Sequence, residues 1–553
     1  MSNKNEKIKG LSFVPIGGCT SVGMNLYVYI YGDQWILVDM GMGFDGNFGR
    51  ELLVPSPDVL IKNKAKIKAL FITHSHEDHI GAIPYLWPML ECPVYARSFA
   101  AEMIREKLAQ FDLDKKVPII RVSLHNKVTV GDFAVEFISV AHSTPESSAL
   151  AITTPAGVVF HSGDWRIDDD PVLGEKTDEE KIKEYGKKGV TALVCDSTNV
   201  FRNTKYGSER DVRKNLIELV QRHKNNRIMI TCFASNLARL ESCYCAAKES
   251  GRELIIVGRS LKKIERIAKA SGYFAKIPAF LDERKANTIP PSKALLVCTG
   301  SQGELNSALS KISRGQHKAV QLQKNDLVIF SSRIIPGNEK SVLEIQNALT
   351  ENSVDIITDI DYEIHASGHP SRAELEHLYS LIKPKVLVPI HGERIHLHKH
   401  AEIAREYGIA EALVVRDGDV VNLSEPKAAV VDTFAIGTLA VDGQRLIPLN
   451  GVVYAQRETL ASGGVVSVAI RYSKGAVKLQ DMACLGVFEE SEREECEDLK
   501  NDVASEIKLS LEGFLKGKSS DREKIRSLSE KLIKTAFMNA RGKKPTVIVH
   551  VVE

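Results

Sequence analysis

One fourteen-residue stretch constrains this chain more than any other. The apolar run ALFI at Ala69–Ile72 leads straight into THSHEDHIGAIPYL, which places His74, His76, Asp78 and His79 within six residues. Three imidazoles and a carboxylate on one loop after a strand are the nitrogen and oxygen donors that suit Zn²⁺. A single loop cannot complete two coordination shells, so further donors are expected at other strand ends. His142 closes FISVAH, Asp164 closes VVFHSGD and His391 follows KVLVPI. Each stands where a β-run gives way to a turn, and such ends converge on one rim of a sheet. Taken singly, each is equally a turn Asp or a hydrogen-bonded His; together they supply what a two-metal site lacks.

From Leu11 to about Asp196, short β-branched runs alternate with turns, with helical signals at Phe99–Gln110 and Glu179–Lys188. From about Asn199 the texture changes to single buried strands separated by amphipathic helices, such as Glu209–His223, Leu237–Glu249 and Leu261–Ala270. That alternation predicts βαβ units and a parallel sheet. Short strands then return, residues 424–458 read as a connector, and the last stretch reads as a small α/β domain with helices at Glu490–Leu515 and Asp521–Asn539. The fold class is therefore α/β.

With 73 Lys and Arg against 71 Asp and Glu, the net charge is +2. Nothing global marks a nucleic-acid binder, so such a partner must be met by a local cleft. The sequence contains no apolar run of about 18 residues, the length that spans a bilayer. The Lys-rich start MSNKNEKIKG lacks the apolar core of a secretory leader, and no membrane association is expected. The nine cysteines sit mainly in apolar segments, as reduced buried thiols do, which fits a cytoplasmic protein. We assign no metal role to the Cys243–Cys245 pair. Arg259, Lys262, Lys263, Arg266 and Lys269 share one helix face, which reads as a solvated charged face or as a phosphate-backbone contact. RGKK at Arg541–Lys544 is a weaker basic run. His396, His398 and His400, two apart in a helix, are expected at the surface.

The order of Asp39, the HxHxDH loop, His142, Asp164 and a late His391 resembles the metallo-β-lactamase fold, an αβ/βα sandwich. More than two hundred residues separate Asp164 from His391. DSTN at Asp196–Asn199, TCFASN at Thr231–Asn236, CTGSQGE at Cys298–Glu304, FSSRIIPGNE at Phe330–Glu339, HASGH at His365–His369 and PIHGE at Pro389–Glu393 resemble the β-CASP nucleases, and within them the bacterial ribonuclease J family. GGCTSVGMNLYVYIYGD near the start also matches. The resemblance implies a sandwich (residues 1–205 and 361–450) interrupted by a β-CASP α/β domain (206–360), then a linker and C-terminal oligomerisation domain (451–553). Two departures stand out: MGMGFDGNFGRELLVPSPD after Asp39 is shorter than the family pattern, and Pro370 follows the second His of HASGH.

By the same resemblance His74, His76 and His142 would bind one Zn²⁺, Asp78, His79 and His391 a second, and Asp164 would bridge them. Mn²⁺ or Mg²⁺ are alternatives in the cell. Asp39 and Asp196 would steady ligands from behind. Two such ions lower the pKa of a shared water, deliver hydroxide to the phosphodiester and screen phosphoryl charge. His369, supported by His365, would be general acid or phosphate ligand. Phe233, Ala234 and Ser235 would contact RNA. Ser331, with His365, Ala366, Ser367, Gly368 and His369, would hold a 5′-monophosphate. The implied activity is 5′-to-3′ exonuclease and endonuclease cleavage of single-stranded RNA to 5′-phosphate products, in mRNA turnover and rRNA maturation, by a homodimer or homotetramer. A thioester or lactone hydrolase on the same metal site and an inactive RNA-binding scaffold are the competing readings.

Overall fold

The protein is described by a computed structural model covering residues 10–45, 52–424, 427–473, 476–515 and 522–552. The Lys-rich start, residues 46–51 of the short segment after Asp39, residues 425–426 of the expected connector and Asp521 at the start of the last helix lie outside these residues.

Two sheets face each other. In the first, Leu11–Gly17, Leu26–Tyr31 and Gln34–Val38 pair antiparallel, and Ile67–Phe71, Val94–Ala96 and Ile119–Arg121 extend the sheet in parallel. Asp419–Asn422 and Ala429–Thr433 complete its eight strands on the other edge. In the second, Lys127–Val130, Phe133–Ser139, Ser148–Thr154 and Gly157–His161 form an antiparallel meander. Ala192–Asp196, Val386–Ile390 and Glu411–Ala412 then add in parallel.

Side chains two apart face the same way along a strand. Phe13, Tyr27, Tyr29, Ile36, Val38 and Phe71 of the first sheet therefore meet Val135, Phe137, Leu150, Ile152, Val194 and Val388 of the second in one buried core. The alternate residues of the second sheet, among them Ile138, Ala151, Phe160, Leu193 and Leu387, pack outward beneath helices Glu179–Lys188, Arg372–Ile382 and Arg394–Tyr407. Because its strands are covered on both faces, they read as continuous apolar runs. This is the expected αβ/βα sandwich.

Between Ala192–Asp196 and Val386–Ile390 lies a six-stranded sheet, parallel throughout, in the order Leu281–Asp282, Glu253–Val257, Ala294–Cys298, Ile228–Thr231, Leu327–Phe330, Asp355–Ile357. Helix Glu209–Arg222 leads into it from the sandwich, and helices Leu237–Glu249, Arg259–Ala270 and Glu339–Glu351 connect its strands. The long insertion closes as a strand neighbour: Val386–Ile390 pairs with Ala192–Asp196 so that Asp196 lies opposite Ile390. Pro370 precedes Ser371, whose capping box with Glu374 starts the returning helix.

Two expectations are corrected. Residues 424–458 are not a plain connector: Ala429–Thr433 is an edge strand, Thr438–Asp442 and Arg445–Pro448 are strands, and helix Val452–Gly463 begins inside the segment. The chain divides into two compact units between Leu439 and Ala440. His400 is fully buried, its Nδ1 2.8 Å from Ser197 Oγ and its ring stacked on Tyr379, whereas His398 is exposed and His396 half-buried. The basic helix face is largely neutralised: Lys262 meets Asp282 (2.9 Å) and Glu283, Arg266 meets Glu106, and Lys269 meets Glu265 (2.7 Å). Such pairs are those a solvated charged face makes.

In the second unit, Val465–Ser473 pairs antiparallel with Ala476–Leu485 and parallel with Thr546–Val552. Helices Arg493–Leu515 and Arg522–Arg541 cover the sheet through Val503, Ile507, Ile525, Ile533 and Phe537. Among the described residues no helix is long and apolar enough to cross a membrane.

Candidate metal centre

Five strand ends deliver the site. Gln34–Val38 runs beside Ile67–Phe71, so Asp39 and Thr73 emerge together, and Asp39 N–H donates to Phe71 O (2.9 Å). His74 and His76 follow, and a short helix, Glu77–Ile80, presents Asp78 and His79. Gly41 lets the chain after Asp39 cross that helix, since a Cβ there would overlap Asp78 O. His142, Asp164 and His391 come from the ends of Phe133–Ser139, Gly157–His161 and Val386–Ile390. Asp39 (φ 59°) and His391 (φ 53°) both occupy the left-handed region, which costs a non-glycine residue energy and is kept where the surroundings require it.

The second nitrogen of each ring shows how the site is arranged. His79 Nδ1 donates to Asp39 Oδ2 (2.7 Å). Thr73 Oγ1 gives its one hydrogen to Asp39 Oδ2 (2.8 Å), so it accepts from His74 Nδ1 (3.0 Å). His142 Nδ1 donates to Gly368 O (2.6 Å). Thr198 Oγ1 donates to Asp196 Oδ1 (2.7 Å) and accepts from His391 Nδ1 (3.0 Å). Four Nδ1–H groups are thus committed outward, which turns four Nε2 atoms toward the centre, where ligands to a cation stand, with Asn25 Nδ2 3.0 Å from that of His79.

His76 completes one cluster. Its Nδ1 lies 3.1 Å from His74 Nε2 and 3.0 Å from His142 Nε2. Three imidazole nitrogens converging in a buried space cannot all be satisfied by protons; a cation satisfies them together. Burial holds all three rings neutral, His76 at about 4 and His74 and His142 well below the ordinary histidine value.

The other cluster is rich in carboxylate. Asp78 Oδ2 is 3.1 Å from His391 Nε2 and 3.6 Å from His79 Nε2. Burial alone would lower His79, but Asp164, Asp78 and Asp39 push it up to about 10; His391 is raised likewise, chiefly by Asp164. Burial would raise Asp78 and Asp164, yet His79 and His391 hold both below the carboxylate range. Asp164 Oδ2 stands between the clusters, 3.2 Å from His79 Nε2, 3.3 Å from His391 Nε2, 3.7 Å from His74 Nε2 and 3.9 Å from His142 Nε2. The donors fall into the sets His74, His76, His142, Asp164 and Asp78, His79, Asp164, His391, with ligand atoms in each set within 4.8 Å of one another. The donor chemistry fits two divalent cations.

His369 joins this rim: its Nδ1 donates to Asp196 Oδ2 (2.8 Å), and its ring lies 5.1 Å from that of His142. Burial lowers its pKa, but Asp196 and Asp164 outweigh burial and raise it. Gly368 is required beside it, because a Cβ would come within 2.5 Å of His142 Nδ1. His365 turns elsewhere. It lines a cavity of about 510 Å³ with Arg202, Tyr206 and Arg333, and burial with nearby arginines holds it neutral, at about 3.

Phe233, Ala234 and Ser235 are half-buried at the end of Ile228–Thr231, next to Ser331 on the neighbouring strand. Crevices at the carboxyl ends of parallel strands are where such sheets bind ligands. Ser331 itself is buried, its Oγ accepting from Arg239 Nη1 (2.6 Å) and donating to Ile364 O (2.7 Å). Ala366 and Ser367 are also buried. Sequence reasoning missed Thr198 and Asn25. Asn25 accepts from Tyr27 Oη (2.7 Å) and donates to Asp78 O (3.0 Å). Both lie inside motifs already singled out, so the signal was their place beside a ligand-bearing strand end.

The chain is similar to known proteins along most of its length. Residues 34–182 match a β-lactamase superfamily domain, 225–349 the β-CASP domain of ribonuclease J, and 353–415 a Zn-dependent metallo-hydrolase RNA specificity domain. The chain is 37% identical to ribonuclease J of Sinorhizobium meliloti, over 98% of this chain and 97% of that one. It is 35% identical to ribonuclease J of Synechocystis (88% and 77%) and 35% identical to ribonuclease J 1 of Streptococcus pyogenes (84% of each). A crystal structure of a protein of unknown function from Enterococcus faecalis shares the fold, with a TM-score of 0.54 at 16% identity over 74% of this chain and 99% of that one. With a metallo-β-lactamase sandwich, an inserted β-CASP domain and 35–37% identity to these relatives over most of its length, the chain belongs to the ribonuclease J family.

Proposed function

We propose that this chain is a metal-dependent ribonuclease that degrades single-stranded RNA from a 5′-monophosphate end and also cuts internally, leaving 5′-phosphate products. One observation carries the reading: the two donor clusters and the His369–Asp196 pair share a single rim. His74, His76 and His142 would hold one cation, Asp78, His79 and His391 a second, and Asp164 both. Zinc suits the donors, with Mn²⁺ or Mg²⁺ as substitutes. Such ions, when bound, activate water and neutralise phosphoryl charge.

The protein's own groups do the rest. Asp39, Thr73 and Thr198 fix the ligand rings. Asp196 occupies His369 Nδ1 and raises its pKa, so that in the protonated ring the Nε2–H is the proton available to a leaving group. Water attacks phosphorus in line and gives up a proton to solvent, the P–O3′ bond breaks, and the departing 3′ oxygen takes the His369 proton. The phosphate stays on the 5′ end of the downstream fragment. The Phe233–Ser235 and His365–His369 loops would contact the RNA and hold the 5′-phosphate, with Ser331 supporting from behind. The role follows as mRNA turnover and rRNA maturation in the cytoplasm, by a homodimer or homotetramer joined through the C-terminal unit.

The test is cleavage of one RNA labelled at each end, supplied with a 5′-monophosphate, triphosphate or hydroxyl. Mononucleotide release from the monophosphate form alone is expected. Equal release from all three would remove the 5′-end preference, and no cleavage with metal bound would remove the ribonuclease reading.

A further inference from the structure

The segment Ile364–His369 has no regular secondary structure, yet side chains distant in sequence take hold of its carbonyls. Two buried arginines reach it from different domains. Arg239, on helix Leu237–Glu249 of the inserted domain, is 1% exposed. Its Nη1 donates to Ile364 O (3.0 Å) and Ser331 O (2.6 Å), and its Nη2 to both oxygens of Glu209 (3.0 and 3.3 Å). Arg166, two residues beyond Asp164 in the sandwich, donates through Nη1 to Ser367 O (2.9 Å) and through Nη2 to Gly207 O (2.7 Å).

The two arginines are joined. Glu209 N–H donates to Asp168 Oδ2 (3.0 Å), and that oxygen lies 3.5 Å from Arg166 Nη2. A closed ring runs from Arg239 through Glu209, Asp168 and Arg166 to Ser367, then along the main chain to Ile364 and back. Asn199 adds bonds to Ser367 Oγ (2.7 Å) and His369 O (3.1 Å). A buried ion pair such as Arg239–Glu209 gains little net stability after desolvation. What the rigid guanidinium fork supplies is geometry.

We propose that Arg239 is a positioning residue for His369: by holding Ile364 and closing the ring through Glu209, it sets where the imidazole stands against Asp196 and the metal rim. The proposal rests on His369 being the proton donor. Arg239→Met is made together with Glu209→Gln, so that no carboxylate is left buried and unpaired. Arg239→Lys, which keeps the charge but not the fork, is the milder variant.

In the full-length zinc-loaded protein, with metal content measured in parallel, kcat at saturating RNA should fall by about 30- to 100-fold in the double variant and about tenfold in Arg239→Lys, as expected when a reacting group is misplaced by an ångström. The discriminating substrate is RNA with sulfur replacing the bridging 3′ oxygen at the scissile linkage. A thiolate leaves without a proton, so the deficits of both variants should shrink to about threefold or less, as should that of His369→Ala. Equal deficits on both substrates, or an unchanged kcat, would overturn the positioning role. Failure of sulfur to rescue His369→Ala would overturn the proton-donor reading instead, and the positioning role with it, in a protein whose Arg239 is intact.

Discussion

The metal rim and the loop Ile364–His369 meet at one site but are held in opposite ways. The rim is held mainly through side chains: Thr73, Asp39 and Thr198 fix His74, His79 and His391 by the far nitrogen, Gly368 O takes that of His142, and Asp39 alone takes three donors, from Thr73 N, Thr73 Oγ1 and His79 Nδ1. The loop is held through its main chain, with the carbonyls of Ile364, Ser367, Gly368 and His369 all accepting from other segments. Truncating a rim residue therefore removes a ligand. Truncating a loop residue leaves its carbonyl in place.

The largest effect expected from this contrast is at the rim. His76→Ala or Asp78→Ala should lose at least one bound metal and lower RNA cleavage by about a thousandfold or more, since the lost charge stabilisation amounts to several kcal/mol. Metal analysis beside a cleavage assay decides it; either variant retaining full metal and activity would dissolve the distinction. His369→Ala comes next, with kcat down by about 100- to 1,000-fold, the usual worth of a general acid, and metal content unchanged. Loss of metal from that variant would show that the loop belongs to the rim. Thr198→Val tests the link between them, because Thr198 Oγ1 touches both His391 and Asp196. Removing the acceptor behind a ligand histidine should weaken metal affinity by about 10-fold, read by chelator competition.

The same contrast explains what was legible in the sequence. Rim residues announce themselves by type and by their place after apolar runs, so the seven donors could be named before any coordinates. The inserted domain was legible from the change in periodicity near Asn199. The supports of the loop were not, because an arginine inside an amphipathic helix reads as surface and its carbonyl partners carry no residue signature. Ser331 was assigned to a 5′-monophosphate by resemblance, and its bonds to Arg239 and Ile364 come from folding alone. Residues 424–458 were missed because their strands are too short for period-two patterning to stand out. His400 was misread for a different reason. Spacing among three histidines does not orient a helix, whereas Leu397, Ala401 and Ala404 do, and His400 falls on their buried face.

His400 supplies the smallest expected effect on activity and a control for both regions, being a buried imidazole that belongs to neither. Burial lowers its pKa to about 4, and its Nε2 has no partner among the described residues. The unfolded chain binds this proton near the ordinary value of about 6.5 and the folded chain only near 4, so between those values the unfolded state carries more protons and stability falls as the pH drops. At pH 5 the loss from this one group is about 2 kcal/mol. His400→Gln should leave cleavage at neutral pH unchanged and flatten the acid side of the stability profile, so that the gap in thermal midpoint between pH 7 and pH 5 narrows by a few degrees. An unaltered acid profile would mean that the imidazole titrates normally in the folded protein. A loss of cleavage at neutral pH would instead tie His400, through Ser197, to the strand end that carries Asp196, and the boundary between site and scaffold would have to move outward by one layer of side chains.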